Sequence, residues 1–186
     1  MNGWEVAITA AIAFLIAAVA GVIFVPFLKK LKYGQPIIEE YGPTWHKSKS
    51  GTPTMGGFIF ILATCIASAL GFILFWLDNP DINLSIMRGE LIYFVSGLLM
   101  ALAYGFLGFV DDYIKVVKKR NLGLTAKQKI LMQLLIGVLY LAALAFFKVD
   151  STVLWIPFIG SFDIGLFYYP LALFIIVGFV NAVNLT

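Results

Sequence analysis

Two adjacent acidic residues, Asp111 and Asp112, followed by Lys115, are the residues best suited to chemistry in this sequence. Neighbouring carboxylates repel unless a cation intervenes, and Mg²⁺ commonly takes one or two carboxylates together with substrate phosphates. The pair directly follows an apolar stretch, where we expect a helix C-terminus, which disfavours negative charge by about 0.3 to 1 kcal/mol per group. The alternative is a structural i,i+4 pair between Asp111 and Lys115, worth about 0.2 to 0.5 kcal/mol.

Basic residues lie in the same polar segments as the acidic pair. Most of them are explained by membrane topology and by anionic headgroups, at about 1 kcal/mol per near-surface charge. Lys49 and Lys127 are better candidates for binding a diphosphate, because each precedes an apolar stretch. His46 could be an acid or a ligand, but a solvated loop residue is the simpler interpretation.

Two further polar motifs leave their roles open. GTPTMGG, from Gly51 to Gly57, offers hydroxyls and backbone N–H groups at the start of an apolar stretch, a setting that favours anions or close helix packing. It lacks the GxxxxGK[ST] spacing of a P-loop. Asn181 and Asn184 share a helical face, from which they either bond across helices or present amides to a ligand.

The composition decides which solvent surrounds these residues. The 186 residues are 61% hydrophobic and 12% charged, whereas soluble domains are roughly 45 to 50% apolar and 25% charged. One cysteine and one histidine exclude a disulfide scaffold and a Cys/His zinc cluster. Much of the chain must therefore lie in lipid.

Five apolar stretches are long enough to cross a bilayer, because 18 helical residues already cover about 27 Å of a core near 30 Å. We predict an all-α integral membrane protein: a polytopic helical bundle in which residues 1–186 form a single membrane domain. The predicted spans are Val6 to Leu28, Gly56 to Leu77, Leu91 to Val110, Ile130 to Phe147 and Phe167 to Val183.

Charge distribution predicts the orientation of these spans. Of 13 Lys and Arg residues, all but Arg88 and Lys148 lie before the second span or between the third and fourth. The positive-inside rule places those two segments in the cytoplasm and the N-terminus outside. The polar motifs then converge on the cytoplasmic side.

The outer loop from Asp150 to Leu166 alternates between apolar and polar residues, which predicts a small extracytoplasmic β-hairpin. Gly160 and Ser161 are the expected two-residue turn. Pro157 would restrict its strand to an edge position.

Three motifs in order resemble the phospho-N-acetylmuramoyl-pentapeptide transferase family, within the polyprenyl-phosphate hexosamine-1-phosphate transferase superfamily. They are HKSKSGTPTMGG, GFVDDYIKVVKKRNLGLTAKQK and NAVNLT. The resemblance spans the whole chain and about the first half of the family's length. It implies a Mg²⁺-dependent enzyme of the bacterial inner membrane that moves phospho-MurNAc-pentapeptide from UDP-MurNAc-pentapeptide to undecaprenyl phosphate. The products are UMP and lipid I, a peptidoglycan precursor.

The resemblance also assigns site residues. It implies catalytic roles for Asp111, Asp112, Lys115 and Lys127, and substrate binding by Lys49, Thr54 and Asn184. Asp111 and Asp112 would contribute to the metal site, with the main ligand expected beyond Thr186. The family continues there into a DG-rich loop, a third aspartate and a histidine-rich motif, so we expect this chain to be inactive alone.

The expected mechanism depends mainly on charge neutralisation. The acceptor phosphate has a second pKa of about 6, so it is mostly a dianion near neutral pH and gains little from a general base. Mg²⁺ and lysines offset the repulsion between the two anionic substrates. Direct attack and an aspartyl-phosphate intermediate both stay open.

Other functions are alternatives to this interpretation. A related UDP-N-acetylhexosamine:polyprenyl-phosphate transferase would share the acidic pair and topology, and a non-catalytic scaffold would need neither. A transporter would carry ionisable groups near the bilayer midplane, where these spans have none. We expect membrane lipids and no nucleic acid as further partners, and the sequence leaves homodimerisation open.

Overall fold

The computed structural model describes residues 3–30, 56–118, 122–149 and 151–184, which are mostly helical. Every one of five helical segments in these ranges is long and apolar enough to cross a membrane. Together with a two-stranded hairpin, they confirm the predicted fold class. The elements are α1 (Gly3–Lys30), α2 (Gly57–Asp78), α3 (Leu84–Val117), α4 (Ala126–Phe146), β1 (Val153–Ile156), β2 (Gly160–Asp163) and α5 (Tyr168–Asn184), with one 3₁₀ turn (Gly165–Phe167) before α5.

The helices carry apolar side chains on their outer surfaces as well as at their contacts. Phe14, Val22 and Phe174 are each more than 70% exposed. A helix with apolar side chains all round satisfies its backbone internally and suits a lipid environment, whereas water would penalise this surface. The exposed residues are therefore explained by hydrocarbon as the surrounding solvent.

The third helix is longer than the predicted span from Leu91 to Val110. It covers 34 residues from Leu84 to Val117, or about 51 Å, against a hydrocarbon core of about 30 Å. Hydropathy identifies the part of a helix that favours lipid, but backbone hydrogen bonds continue through charged residues in the interface or in water. As a result, the acidic pair lies within α3 and not at its end.

The described residues form two compact units, and the first contains α1, α2 and the part of α3 that begins at Gly105. The buried face of α2 consists of Ile59, Ala63, Ala67 and Gly71, at intervals of four residues. Small residues at this spacing let helix backbones approach closely. α1 packs against this face, and a Cβ built on Gly71 would lie 2.5 Å from Thr9 Oγ1 of α1.

The same unit brings α2 against the C-terminal part of α3. Phe58 and Phe109 form an edge-to-face pair with ring centroids 5.2 Å apart. Gly105 leaves room for the side chain of Ile61, because a Cβ at Gly105 would lie 2.7 Å from Ile61 Cδ1. These contacts fix the stretch of α3 that carries the acidic pair.

The second unit contains α3 before Gly105, α4, the hairpin and α5. The buried face of α4 consists of Gln133, Gly137, Leu141 and Leu144. Leu173 of α5 packs against Gly137, where a Cβ would lie 2.6 Å from Leu173 Cδ1. The small residue thus permits close packing of α4 on α5.

The hairpin is present, but its predicted turn was wrong. β1 and β2 are antiparallel with Ile156 opposite Gly160, so Gly160 and Ser161 lie in the second strand. The chain reverses through Pro157, Phe158 and Ile159, and Ile159 N–H donates to the Ile156 carbonyl at 3.1 Å. Pro157 is therefore not a strand residue. Proline suits the second position of such a turn, and Phe158 at φ 68° takes the third position, which needs positive φ.

Candidate active site

The acidic pair and Lys115 form one compact ion cluster on the last two turns of α3. Lys115 Nζ lies 2.7 Å from Asp111 Oδ2 and 2.9 Å from Asp112 Oδ1. The spacings i,i+4 and i,i+3 bring these side chains to one side of a helix. A single ammonium group therefore offsets the repulsion between the two carboxylates.

The two carboxylates differ in exposure and in their contacts. The Asp111 side chain is 11% exposed and the Asp112 side chain is 32% exposed. Asp111 uses one oxygen for Lys115 and the other to accept the Leu124 N–H at 2.7 Å. Asp112 accepts from Lys115 Nζ through Oδ1, and the larger exposed fraction belongs to the Asp112 side chain. Asp112 is thus the carboxylate open to a ligand.

A short stretch of chain after α3 returns to cover Asp111. Gly123 lies so close to this residue that an added Cβ would be 2.6 Å from Asp111 Cγ and 2.7 Å from the Asp111 backbone oxygen. Only glycine fits without displacing the backbone. The sequence analysis did not identify Gly123 and Leu124 as residues that contact Asp111. The feature that could have indicated them is a glycine in the short connection between the third and fourth predicted spans.

The argument that the pair lies at a helix C-terminus was wrong. α3 continues for six residues beyond Asp111, to Val117. The effect of the helix dipole falls off within the last turn, so it contributes little to the cost of charge at Asp111. The larger cost is desolvation, which the contacts to Lys115 and Leu124 offset.

Lys127 lies in the first turn of α4, which begins at Ala126. Its side chain is exposed. The predicted span began at Ile130, so this lysine is part of the helix and does not merely precede it. α4 belongs to the second unit, whereas the acidic cluster belongs to the first.

The predicted nucleotide-site residues are described only in part. His46, Lys49 and Thr54 lie outside the described residues. Asn184 is the last residue of α5, and its side chain also lies outside the described part. α2 begins at Gly57 after Gly56, and a Cβ at either glycine would meet no atom of the described chain within 4 Å. The choice between anion binding and close helix packing at GTPTMGG stays open, because residues 51–55 of the motif lie outside the described residues.

Asn181 forms a bond across helices, one of the two roles that its spacing left open. Its Nδ2 donates to Gln133 Oε1 of α4 at 2.7 Å. Gln133 is only 4% exposed. Sequence reasoning did not single out Gln133, although a lone amide inside an apolar span is a usable signal of an interhelical hydrogen bond.

The donor set fits an open Mg²⁺ site of carboxylates completed by phosphate oxygens. Within the described ranges, no group of three or more His, Cys, Asp or Glu residues is placed to hold a metal ion. Adjacent Asp111 and Asp112 supply hard oxygen ligands, and Mg²⁺ typically takes one or two of these with substrate phosphates. Asp112, whose side chain is the more exposed of the two, is the better placed ligand.

Comparisons with known proteins agree with the motifs of the chain. Residues 94–186, which include the acidic cluster, match the model of glycosyl transferase family 4. The chain is 43% identical over 185 residues to the phospho-N-acetylmuramoyl-pentapeptide-transferases of Bacillus mycoides (strain KBAB4) and Bacillus thuringiensis (strain Al Hakam). It is 43% identical over 178 residues to that of Bacillus pumilus (strain SAFR-032).

Each of these matches covers 96% of this chain and 51% of the relative. The chain therefore spans about half the length of the curated relatives it matches. The residues that match the family model include the acidic pair, Lys115 and the NAVNLT motif that begins at Asn181. With the family model covering residues 94–186, the chain belongs to glycosyl transferase family 4.

Proposed function

We propose that this chain carries the acidic part of the active site of a Mg²⁺-dependent phospho-sugar transferase. The enzyme transfers phospho-MurNAc-pentapeptide from UDP-MurNAc-pentapeptide to undecaprenyl phosphate, forming lipid I and releasing UMP in peptidoglycan biosynthesis. The observation that carries the proposal is the cluster in which Lys115 contacts Asp111 and Asp112 at 2.7 and 2.9 Å near the end of a membrane-spanning helix. The names of the relatives, which are phospho-N-acetylmuramoyl-pentapeptide-transferases, support the choice of substrates.

The location of the cluster suits a reaction between a lipid and a nucleotide. An acceptor phosphate on a polyprenyl chain is held at the membrane surface, and the UDP-linked donor arrives from water. Asp111 directly follows Val110, the last residue of the apolar part of α3. At this position the acidic cluster is within reach of both substrates. Most Lys and Arg residues lie before the second span or between the third and fourth spans, the second of which segments adjoins the acidic cluster. By the positive-inside rule, this distribution supports a multi-pass protein of the bacterial cytoplasmic membrane with its N-terminus outside and this site facing the cytoplasm.

Asp112 has the role of direct contact with the metal ion or acceptor in this proposal. Its side chain is the more exposed of the two, and its contact with Lys115 is made through Oδ1. When bound, Mg²⁺ supplies positive charge that neutralises the diphosphate oxygens. Asp112 then contributes by fixing that charge near the interface, since a dianionic acceptor needs little deprotonation.

Asp111 and Lys115 have supporting roles. Asp111 holds the returning chain through Leu124 N–H and orients Lys115 through its second oxygen. The ammonium of Lys115 offsets the carboxylate charges until an anionic phosphate competes for it. Lys127, which is exposed at the start of α4, is available to a donor phosphate. The family resemblance supports a nucleotide-diphosphate pocket that includes Lys49, Thr54 and Asn184.

The complete protein, extended beyond these residues, is the material for the test. We expect UMP release from UDP-MurNAc-pentapeptide to require undecaprenyl phosphate and Mg²⁺, and to stop when EDTA removes the metal. Asp112→Asn keeps the shape of the side chain and should lower kcat on the order of 100-fold, the scale on which loss of a preorganised electrostatic group acts.

Two results would oppose the proposal. Wild-type rates in Asp112→Asn would leave the pair without a catalytic role, and release of UMP from UDP-GlcNAc but not from UDP-MurNAc-pentapeptide would favour the related hexosamine transferase. Gly108→Ala is the matched control on α3, because a Cβ there meets no atom of the described residues within 4 Å. Isolation of an enzyme-bound phospho-sugar adduct would exclude direct attack by the acceptor.

A further inference from the structure

A pair of amide side chains joins α4 to α5 inside the second unit. Asn181 Nδ2 donates to Gln133 Oε1 at 2.7 Å, and Gln133 Nε2 donates back to Asn181 Oδ1 at 3.4 Å. Gln133 is 4% exposed, so its amide has little access to solvent. The two side chains therefore satisfy each other, and we call this reciprocal contact the amide clasp.

The amide clasp has further hydrogen bonds to the helix backbones. Asn181 Nδ2 also donates to the Val177 carbonyl of its own helix at 2.8 Å. The Tyr104 hydroxyl of α3 donates to the Gln133 backbone carbonyl at 2.9 Å. These bonds orient Asn181 on α5 and attach the same turn of α4 to α3, so three helices of the unit meet at one polar point.

Buried amides are costly in a membrane helix unless they are paired, whereas a leucine would need no partner. A polar pair with one satisfying arrangement fixes the rotation and axial register of helices that apolar packing alone leaves less specific. Gly137, one turn further along α4, allows Leu173 of α5 to approach closely. Close packing and reciprocal hydrogen bonds thus act at the same helix contact.

The position of the amide clasp in the two helices suggests what it fixes. Lys127 precedes Gln133 by six residues, or about 9 Å along α4, and Asn184 follows Asn181 by three residues, or about 4.5 Å along α5. Both site residues therefore lie on the helix ends next to the clasp. Any rotation or sliding of α4 on α5 would displace one of them relative to the other.

We propose that Gln133 is a positioning residue: through its reciprocal hydrogen bonds with Asn181, it sets the first turn of α4 against the last turn of α5. The first turn of α4, which carries Lys127, and the last turn of α5 are thereby held at a fixed separation beside the diphosphate of a UDP-linked donor. This inference rests on the proposed function for the identity of the donor. The mutual placement of the two helix ends is a separate physical claim and has its own measurement.

Enzyme kinetics of the complete protein test the functional part. Gln133→Leu leaves Asn181 without its partner, and we expect the KM for UDP-MurNAc-pentapeptide to rise about 10-fold or more, as when a group that orients a binding residue is lost. The KM for undecaprenyl phosphate should change less than threefold. The exchanged pair Gln133→Asn with Asn181→Gln retains both amides and should recover most of the lost donor affinity.

Spin labels test the positional part without any need for activity. In protein whose native Cys65 is replaced by Ser, cysteines at Ala126 and Ala182, both exposed, carry labels near the two helix ends. We expect the distance distribution between labels to broaden in Gln133→Leu and to narrow again in the exchanged pair. Leu135→Ala, on an exposed position of α4, is the control and should leave both the distances and the donor KM unchanged.

The outcomes separate this inference from the proposed function. Unchanged distances in Gln133→Leu overturn the amide clasp, whatever the enzyme does. Broadened distances with an unchanged donor KM also overturn it as a positioning device for substrate. If the wild-type protein releases no UMP from this donor, the proposed function fails, and the spin-label result alone decides whether the clasp aligns the helices. If Gln133→Leu does not fold, Gln133→Asn, which shortens the side chain by one methylene, takes its place.

Discussion

The backbone N–H of Leu124 donates a 2.7 Å hydrogen bond to Oδ1 of Asp111, 13 residues earlier in the chain. This contact joins the connection after α3 to a carboxylate that is buried and also paired with Lys115. Asp112, its neighbour, has the more exposed side chain. Two residues that look equivalent in the sequence therefore have different surroundings, and the difference can be measured.

Asp111→Ala should destabilise the protein more than Asp112→Ala. Loss of Asp111 leaves the Leu124 N–H without this acceptor and removes one contact of Lys115, at an expected cost of about 1 to 3 kcal/mol. Asp112 is partly exposed, so its loss should cost less than about 1 kcal/mol. Thermal unfolding in detergent and hydrogen exchange at the Leu124 amide measure the two effects. Equal unfolding midpoints and equal exchange rates in the two variants would contradict this distinction.

Gly123→Ala should disturb the acidic cluster without changing any charge. A Cβ at this position would lie 2.7 Å from the backbone oxygen of Asp111, which cannot rotate away. We expect a loss of about 1 to 3 kcal/mol in unfolding free energy, typical of overpacking, together with faster exchange at Leu124. Gly108→Ala on α3 has open space around its Cβ and serves as the control. The same small effect in both variants would show that the connection adjusts freely.

The contact between α1 and α2 gives a prediction far from the candidate site. In Gly71→Ala, the new Cβ would lie 2.5 Å from Thr9 Oγ1 and 2.9 Å from Thr9 Cγ2, so we expect a loss of about 1 to 3 kcal/mol. Thr9→Ala removes both of those atoms and should restore part of the stability when combined with Gly71→Ala. Gly21→Ala is the control for thermal unfolding, because its Cβ would meet no atom within 4 Å in the part of the chain that the structure describes. A double variant no more stable than Gly71→Ala would contradict the contact.

Asp163 at the end of the hairpin should make local stability depend on pH. The Thr152 hydroxyl and then the Gly165 N–H, which both donate to its carboxylate, hold the pKa of Asp163 below its ordinary value of 3.8. Because the folded pKa is depressed, the stabilisation is present above the unfolded pKa and is lost as the pH falls through the folded pKa. Carboxyl NMR titration of Asp163 measures the shift directly.

Thr152→Val tests the cause of that shift. Valine keeps the branched shape of threonine but removes the hydroxyl that donates to Asp163 at 2.6 Å. We expect the Asp163 pKa to move back toward its ordinary value and the Gly165 amide to exchange faster at acidic pH. An unchanged titration curve would assign the shift to a different group.

Sequence reasoning was most accurate where one physical property dominates. All five predicted spans are helices, since a long apolar stretch must satisfy its backbone internally. Their ends were less accurate: α3 extends past the predicted limits on both sides, because hydropathy detects the lipid-facing part and not the hydrogen-bonded helix. The hairpin was predicted, but its turn lies at residues 157–159 and not at Gly160 and Ser161. The prediction looked for a two-residue turn that contains glycine, whereas the actual turn contains Pro157 and no glycine.

The sequence by itself determined the membrane class, the five spans, the helical spacing that allows an ion pair between Asp111 and Lys115, and the motifs shared with the family. These follow from composition, helical spacing and residue order, all of which are local. Tertiary structure alone decided that Gly123 and Leu124 cover Asp111, that Asp112 is more exposed, and that Gln133 bonds to Asn181. Such contacts join residues up to 48 positions apart, and only the packing of side chains in three dimensions selects which distant groups exclude solvent from one another.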